Sequence, residues 1–346
     1  MAKRDRAETA SRVRVAIVGG DTLLAKELRE RLEESGPPAH VELISATIEN
    51  SSVLDPGGDE EPLIMSPLNA ESLTGSRVAF LAGSAASSRR ALKANPPDGP
   101  VLIDLTSALE DLPEARLRAP STLATAEDHA SAVYVVANPA AIALATLLKA
   151  LGQRAAIARS LVHIFEPASE RGKKGIEELH QQTVAVLAFK KLKTDVFDAQ
   201  LGFNLLARYG EEAPEPLEDV EARISRHLAS LLAGGLTAES TSAIPMPSLR
   251  VIQAPVFHGH SFSVWVEFAE NESVSVTAIG RWLEDSGIDV RAEDPPTNAG
   301  IAGQSGLSVG AIRPDVNHPR AFWIWMVADN LRLTSENAIA VAREWL

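Results

Sequence analysis

The first 46 residues do most to fix what this chain can become. Val13-Arg14-Val15-Ala16-Ile17-Val18 reads as a buried strand, and Gly19-Gly20-Asp21 as the turn that ends it. Leu23, Leu24, Leu28 and Leu32 follow at helical spacing, up to a stop at Gly36-Pro37-Pro38. Val41 to Ala46 is a second strand, so the segment is a βαβ unit of roughly 30 residues. Further short strands are expected at Arg77 to Leu81, Val101 to Asp104 and Ala132 to Val136, with helix between them. This alternation predicts a Rossmann-like, doubly wound parallel sheet over residues 1–137. Asn50 to Glu61, rich in Gly, Asp and Ser, is expected as a mobile loop.

After Pro139 the pattern changes. Ala140 to Leu151, Gly175 to Lys191 and Glu218 to Ala233 read as helices, and Ser160 to Phe165 as a strand between the first two. Strand-like runs follow at Ser248 to Phe257, Ser261 to Phe268, Leu307 to Arg313 and Ala321 to Val327. Residues 138–327 are therefore expected to form an α+β domain with a mixed, largely antiparallel sheet. A last helix, Ser335 to Leu346, closes the chain.

Composition excludes several classes of function. The chain is 45% hydrophobic and 23% charged, as in ordinary globular proteins. A net charge of −13 argues against a general nucleic-acid or anionic-membrane surface. The apolar run Val15 to Val18 is too short for a signal-peptide core, and Ala321 to Ala328 is too short to span a membrane. A cytoplasmic location is the expectation. The 8 histidines are scattered without an HExxH pair, so no metal site is expected. The sequence has no cysteine, which removes disulfides and thiol chemistry alike.

Four stretches carry candidate chemistry. In the first βα turn only Gly19 and Gly20 are glycines; Thr22 and Ala25 stand where a dinucleotide fingerprint places its second and third, and Asp21 puts a negative charge where a phosphate would approach. Asn138-Pro139 is a strong helix start, which makes Ala141 the third helical residue, a place where a thiol would have its pKa lowered. Ser107, Thr146 and Ser169 have no adjacent His or Lys to activate them as substitutes. His258-Gly259-His260, at a strand end, suits acid–base work or a ligand, or else a hydrogen-bonded pair. Gly172-Lys173-Lys174-Gly175 is a solvated loop feeding a helix, or an anion site, and Phe322-Trp323-Ile324-Trp325 is a buried strand or one pressed on a partner subunit.

The order of landmarks resembles a known family. Asn138-Pro139, Gly-Lys-Lys-Gly-Ile-Glu-Glu-Leu from Gly172, Gly202-Phe203-Asn204-Leu205, Ala254 to Ser261, Leu307-Ser308-Val309-Gly310 and Ala328-Asp329-Asn330-Leu331-Arg332 together look like aspartate-semialdehyde dehydrogenase, over nearly the whole chain. Val251 to Phe257 and Gly172-Lys173-Lys174 look closest to its USG-type branch, whose members also lack the cysteine.

The resemblance implies an NADP-binding first domain, 1–137 with the returning C-terminal segment 328–346, and a second domain that holds substrate and forms a homodimer. It implies NADPH-dependent reduction of aspartyl phosphate through a thioester and thiohemiacetal on cysteine, in amino-acid biosynthesis. Carried over residue by residue, the nucleophile falls on Ala141 and the general base on His260. The substrate-orienting glutamine falls on Glu166, the carboxylate-clamping arginine on Gln253, and a phosphate arginine on Glu110. NADP would fall on Gly19, Asp21, Thr22, Leu23 and Leu24, with Asn330 from the second domain, and the altered turn implies weak binding or none.

These substitutions predict a pseudoenzyme that binds a small-molecule ligand or a protein partner. The alternative is an NAD(P)-dependent oxidoreductase with altered chemistry, with His260 and Glu166 acting as acid and base on a cationic or neutral substrate.

Overall fold

A computed structural model describes residues 13–37, 39–46, 52–54, 62–122, 131–234, 243–270 and 272–346. The chain divides into two units, Met1–Ala137 with Thr334–Leu346, and Asn138–Leu333.

In the first unit the elements run β1 (Val13–Val18), α1 (Leu23–Ser35), β2 (Ala39–Ser45), β3 (Ser52–Leu54), β4 (Leu63–Pro67) and α2 (Ala70–Leu73). They continue through β5 (Val78–Leu81), α3 (Ala85–Ala94), β6 (Val101–Asp104), β7 (Arg116–Arg118) and β8 (Val133–Val136). The sheet order is β3-β4-β2-β1-β5-β6-β8-β7, parallel throughout except where β3 meets β4. Val15 to Val18 are fully buried, as a central parallel strand covered on both faces requires.

The strand order reverses beside β1, and the turns after β1 and β5 meet at that reversal. Gly19 has φ +87°, and a Cβ there would stand 2.4 Å from the Cα of Gly83. Only glycine fits this approach of two backbones. The Thr22 hydroxyl caps α1 by accepting the Ala25 N–H at 3.1 Å, and donates to the Ala82 carbonyl at 2.9 Å. One side chain thus starts the helix and fastens it to the end of β5.

The expected loop Asn50 to Glu61 contains the short edge strand β3, whose Val53 and Leu54 pair with Ile64 and Leu63 of β4. The rest of that stretch, 50–51 and 55–61, lies outside the described residues. Strand β7 was not anticipated, because its Arg-Leu-Arg sequence lacks an apolar run. Its buried Arg118 is compensated by an ion pair with Glu344.

The second unit begins with α4 (Pro139–Gly152), β9 (Ile157–Glu166), a 3-10 turn (Ala168–Arg171), α5 (Gly172–Leu187) and α6 (Leu217–Ala233). It continues with β10 (Ser248–Gln253), β11 (His260–Phe268), α7 (Val276–Asp285), β12 (Asp289–Arg291), α8 (Asn298–Ile301), β13 (Leu307–Pro314) and β14 (Ala321–Ala328). Helix α9 (Asn330–Ala342) follows. The sheet order is β10-β9-β11-β14-β13-β12. Pairing is antiparallel within β9-β11-β14-β13 and parallel at the two edges, so the sheet is mixed and largely antiparallel.

One face of this sheet buries Val162, Ile164, Phe262, Val264, Ile324 and Met326, and α4 packs on β9 beside α6 and α7. Trp265 lies between Leu161 and Trp323 on the opposite, partly exposed face. The Phe322-Trp323-Ile324-Trp325 run therefore alternates between the two faces. Its indoles are tethered, Trp323 to Asp315 at 2.9 Å and Trp325 to the Pro296 carbonyl at 3.0 Å.

Several boundaries differ from the sequence reading, three of them for a visible physical reason. Strand β10 ends at Gln253, short of the expected Phe257, because Pro255 has no N–H to continue a ladder. Gly172-Lys173-Lys174-Gly175 is the first turn of α5 and not a loop; Gly175 fits there because a Cβ would meet the Ala168 carbonyl at 2.3 Å. The last helix starts at Asn330, earlier than Ser335, because Asp329 accepts the N–H groups of Leu331 and Arg332. Among the described residues no helix is long and apolar enough to cross a membrane.

Candidate functional site

Strand register gathers the principal candidates of the second unit into one row. Gln253 on β10 pairs with Glu166 on β9, and the pairing of Ser261 with Phe165 sets His260 of β11 at the next step from Glu166. His260 in turn pairs with Ala328 of β14. Gln253, Glu166 and His260 are each at most 1% exposed. Three polar side chains at adjoining buried strand ends must find partners or pay for their desolvation.

Gln253 and Glu166 find theirs within the unit. The Gln253 amide donates to the Glu166 carbonyl at 2.8 Å and to the Ala254 carbonyl at 3.1 Å. Its oxygen accepts the Tyr209 hydroxyl at 2.5 Å. The Glu166 carboxylate accepts from the Arg171 guanidinium at 2.9 Å. Arg171 also reaches Glu215 at 2.6 Å, and Glu215 pairs with Arg223. The Arg171 guanidinium lies 5.5 Å from the centre of the Tyr209 ring, a cation–π distance.

Burial pushes the Glu166 carboxyl up to about 7 although the Arg171 guanidinium opposes the rise. Burial also works against charge on Arg171, but Glu166, Tyr209 and Glu215 together outweigh it and hold the guanidinium protonated. Glu166 is therefore not an unbalanced negative charge that repels anions, which is how the sequence alone presents it. The residue missed was Arg171, brought onto Glu166 by the 3-10 turn after Pro167. The available signal was general: a carboxylate on a strand deep in a sheet needs a cation nearby.

His260 is different. Both ring nitrogens are buried and have no hydrogen-bond partner among the described residues. Burial lowers its pKa, Glu170 and Asp329 pull it back up, and Arg171 lowers it further. Net depression leaves a neutral imidazole at pH 7, with one nitrogen a donor and the other an acceptor. Asn330 connects this ring's surroundings: its side-chain oxygen accepts the Ser169 hydroxyl at 3.1 Å and the Gly259 N–H at 3.2 Å, and its amide donates to Glu170 at 2.8 Å. Asn330 is thus engaged inside the second unit, and the Glu170 carboxylate it holds is one of the charges acting on His260. His258 is half-buried, and its carbonyl accepts from Asn298 at 3.4 Å. No three His, Asp or Glu side chains among the described residues converge as a metal site.

Ala141 sits where the helix start places it. Asn138 caps α4 by accepting the Ala140 N–H at 2.9 Å, Pro139 opens the helix, and Ala141 is the fully buried third residue. The Asn138 N–H donates to Nδ1 of His227 on α6 at 2.9 Å, which anchors the cap to the neighbouring helix. The nearby hydroxyls are committed elsewhere: Thr146 donates to the Ile142 carbonyl at 2.8 Å, and Ser169 to Asn330.

In the first unit, Gly19, Asp21, Thr22, Leu23 and Leu24 form the turn and helix start after β1. The N–H groups of Gly19 and Gly20 are taken by the Ile44 carbonyl, at 2.8 and 3.2 Å. Those of Leu23 and Leu24 stand at the positive end of α1, the geometry that suits a phosphate. The tight Gly19–Gly83 approach also leaves backbone and no side chain at the strand-order reversal. Asp21 is exposed at the same turn and opposes an anion with its charge. The backbone fits a dinucleotide pyrophosphate; the Asp21 side chain does not.

Comparison with known proteins agrees with this architecture. The semialdehyde dehydrogenase dimerisation domain family matches residues 148–333. A USG-1 protein homolog of Pseudomonas aeruginosa is 31% identical over 331 residues, 92% of this chain and 93% of that protein. The structure of a probable aspartate-semialdehyde dehydrogenase from Pseudomonas aeruginosa superposes with a TM-score of 0.80 at 28% identity, covering 96% of this chain and 98% of the other. An aspartate-semialdehyde dehydrogenase of Candida albicans, solved with NADP, shares the fold at 15% identity and a TM-score of 0.69, covering 97% of this chain and 98% of that one. With a family match across more than half its length, and a relative of that identity along nearly all of it, the chain belongs to the aspartate-semialdehyde dehydrogenase family.

Proposed function

We propose that this family member does not carry out a thiol-dependent reduction, and that the His260 site of its second unit serves to bind a ligand. One observation carries the reading: the third residue of the capped helix α4 is a buried alanine in a chain without cysteine. A methyl group cannot attack a carbonyl carbon, so His260 has no thiol to deprotonate there. Gln253 supports the same reading. The resemblance places a carboxylate-clamping arginine at this position, and a neutral amide already spent on Tyr209 and two carbonyls offers no comparable clamp.

Members of the family bind NADP. In this chain the N–H groups of Leu23 and Leu24, beside the close backbone approach at Gly19, would hold the pyrophosphate, and the nicotinamide would supply a hydride. Asp21 weakens that hold by like-charge repulsion. Titrating the full-length protein into NADPH and following nicotinamide fluorescence is expected to give a dissociation constant above roughly 1 mM, at the weak end of useful affinities. Saturable binding at micromolar NADPH would overturn the non-reductive reading.

A second reading, acid–base chemistry without a covalent intermediate, is favoured by the neutral, unpartnered His260 ring. In that reading Glu170 is the carboxylate working beside the imidazole, since Glu166 is held by Arg171. We also propose that the chain forms a homodimer. The family's description as a dimerisation domain and the half-exposed Trp265–Trp323 face of the second sheet support this.

A further inference from the structure

We propose that the His260 site recognises a small organic cation through an ammonium group, with Glu170 as the recognising carboxylate; this rests on the reading of the site as a binding site. The charged side chains around it sort into two sets. Glu166 and Glu215 are matched by Arg171 and Arg223 in a closed group of two carboxylates and two guanidiniums. An incoming anion finds no free cation in that group.

Glu170 and Asp329 form the other set, and neither makes an ion pair among the described residues. Asp329 has both oxygens occupied by backbone N–H groups, those of Leu331 and Arg332 on one and that of Gly303 on the other. Among the described residues Glu170 accepts only the neutral Asn330 amide, on one oxygen, at 2.8 Å. Its second oxygen accepts no hydrogen bond among the described residues. The surplus negative charge lies beside a neutral ring, so the local field selects cations.

His260 is the independent observation that a ligand belongs here. Its ring is buried, and neither nitrogen has a hydrogen-bond partner among the described residues. A buried polar atom without a partner is costly and rare in a folded protein unless something else satisfies it. An ammonium group carries three N–H donors. One can be accepted by the free Glu170 oxygen and another by the unprotonated imidazole nitrogen. A carboxylate or phosphate would instead be opposed by the charges of Glu170 and Asp329.

The test uses three four-carbon probes of equal length that differ in their ends: 1,4-diaminobutane, 1,4-butanediol and succinate. Each is titrated calorimetrically into the full-length protein. Saturable heat is expected from the diamine, with the diol and succinate at least about tenfold weaker. Glu170→Gln, which keeps an acceptor for Asn330, should weaken the diamine about tenfold or more, the usual scale for losing a charge-assisted hydrogen bond. Glu177→Gln, on the outer side of α5, should leave the diamine affinity unchanged. In the wild-type protein the His260 ring nitrogen resonances should move with the diamine alone, a readout that requires no variant to fold.

Succinate binding as tightly as the diamine would overturn the proposal. So would equal diamine affinity in Glu170→Gln, or a diamine titration with neither saturable heat nor a His260 shift. Turnover of aspartate semialdehyde by the wild-type protein would refute the non-reductive reading without altering the charge preference, so the two failures are distinguishable.

Discussion

Replacing Arg171 with methionine is expected to cost the folded protein about 3–5 kcal/mol at pH 9, where the Glu166 carboxyl of the wild-type protein is ionised, the range found when one partner of a buried ion pair is removed. The loss comes from what is left behind. Glu166 is fully buried, its other carboxylate oxygen already lacks a partner, and Arg171 is the cation that compensates it. Glu215 would lose one of its two guanidinium partners at the same time. In a unit of this size the melting temperature should fall by roughly 10 °C. The double variant Arg171→Met/Glu166→Gln should recover most of the loss, because it removes the stranded charge as well. A destabilisation below about 1 kcal/mol, or a double variant no better than the single, would show that the pair is not what holds these strand ends together.

The second large effect is a dependence of stability on pH that belongs to Glu166. Burial raises its carboxyl from the ordinary 4.5 to about 7, so the folded protein holds this proton more tightly than the unfolded chain. The stabilisation is therefore complete below about pH 4.5 and is lost as pH rises through about 7. A displacement of that size corresponds to on the order of 3 kcal/mol. Glu166→Gln has no proton to lose, so its stability relative to wild type should rise by about this amount between pH 4.5 and 8. Denaturant unfolding of both proteins across this range gives the difference directly. A difference that stays flat with pH would place the Glu166 carboxyl in the ordinary range and remove burial as the dominant influence on it.

Some of this was legible in the sequence because it rests on local chemistry. An apolar run such as Val15-Ala16-Ile17-Val18 reads as a strand covered on both faces, and Asn138-Pro139 caps a helix by its own side chain. Elements that depend on a distant partner were not legible. Strand β7 carries two arginines, and the buried one stands only because Glu344, far along the chain, pairs with it. The lysines of Gly172-Lys173-Lys174-Gly175 look like a loop until the 3-10 turn before them sets the helix.

The site divides the same way. His260, Glu166 and Gln253 could be named by resemblance, but their states could not, since these are set by Arg171, Tyr209 and Asn330 reaching them from other segments. The missing thiol needed no structure at all. What the structure adds is that the alanine sits in a helix start still built in full: the cap, the proline and the His227 anchor are present around Ala141.

That retained helix start makes the central claim directly testable. A cysteine at position 141 would lie in the first turn of α4, where the helix dipole favours a thiolate. If the thiol were the one missing part, Ala141→Cys should work. The altered Gln253, the Glu166–Arg171 pair and the Asp21 turn argue that it is not. The decisive measurement is NADPH formation from aspartate semialdehyde, NADP and phosphate by the wild-type protein and Ala141→Cys side by side. Both are expected to run at the rate of the enzyme-free control. Turnover above that control in either protein would contradict the account.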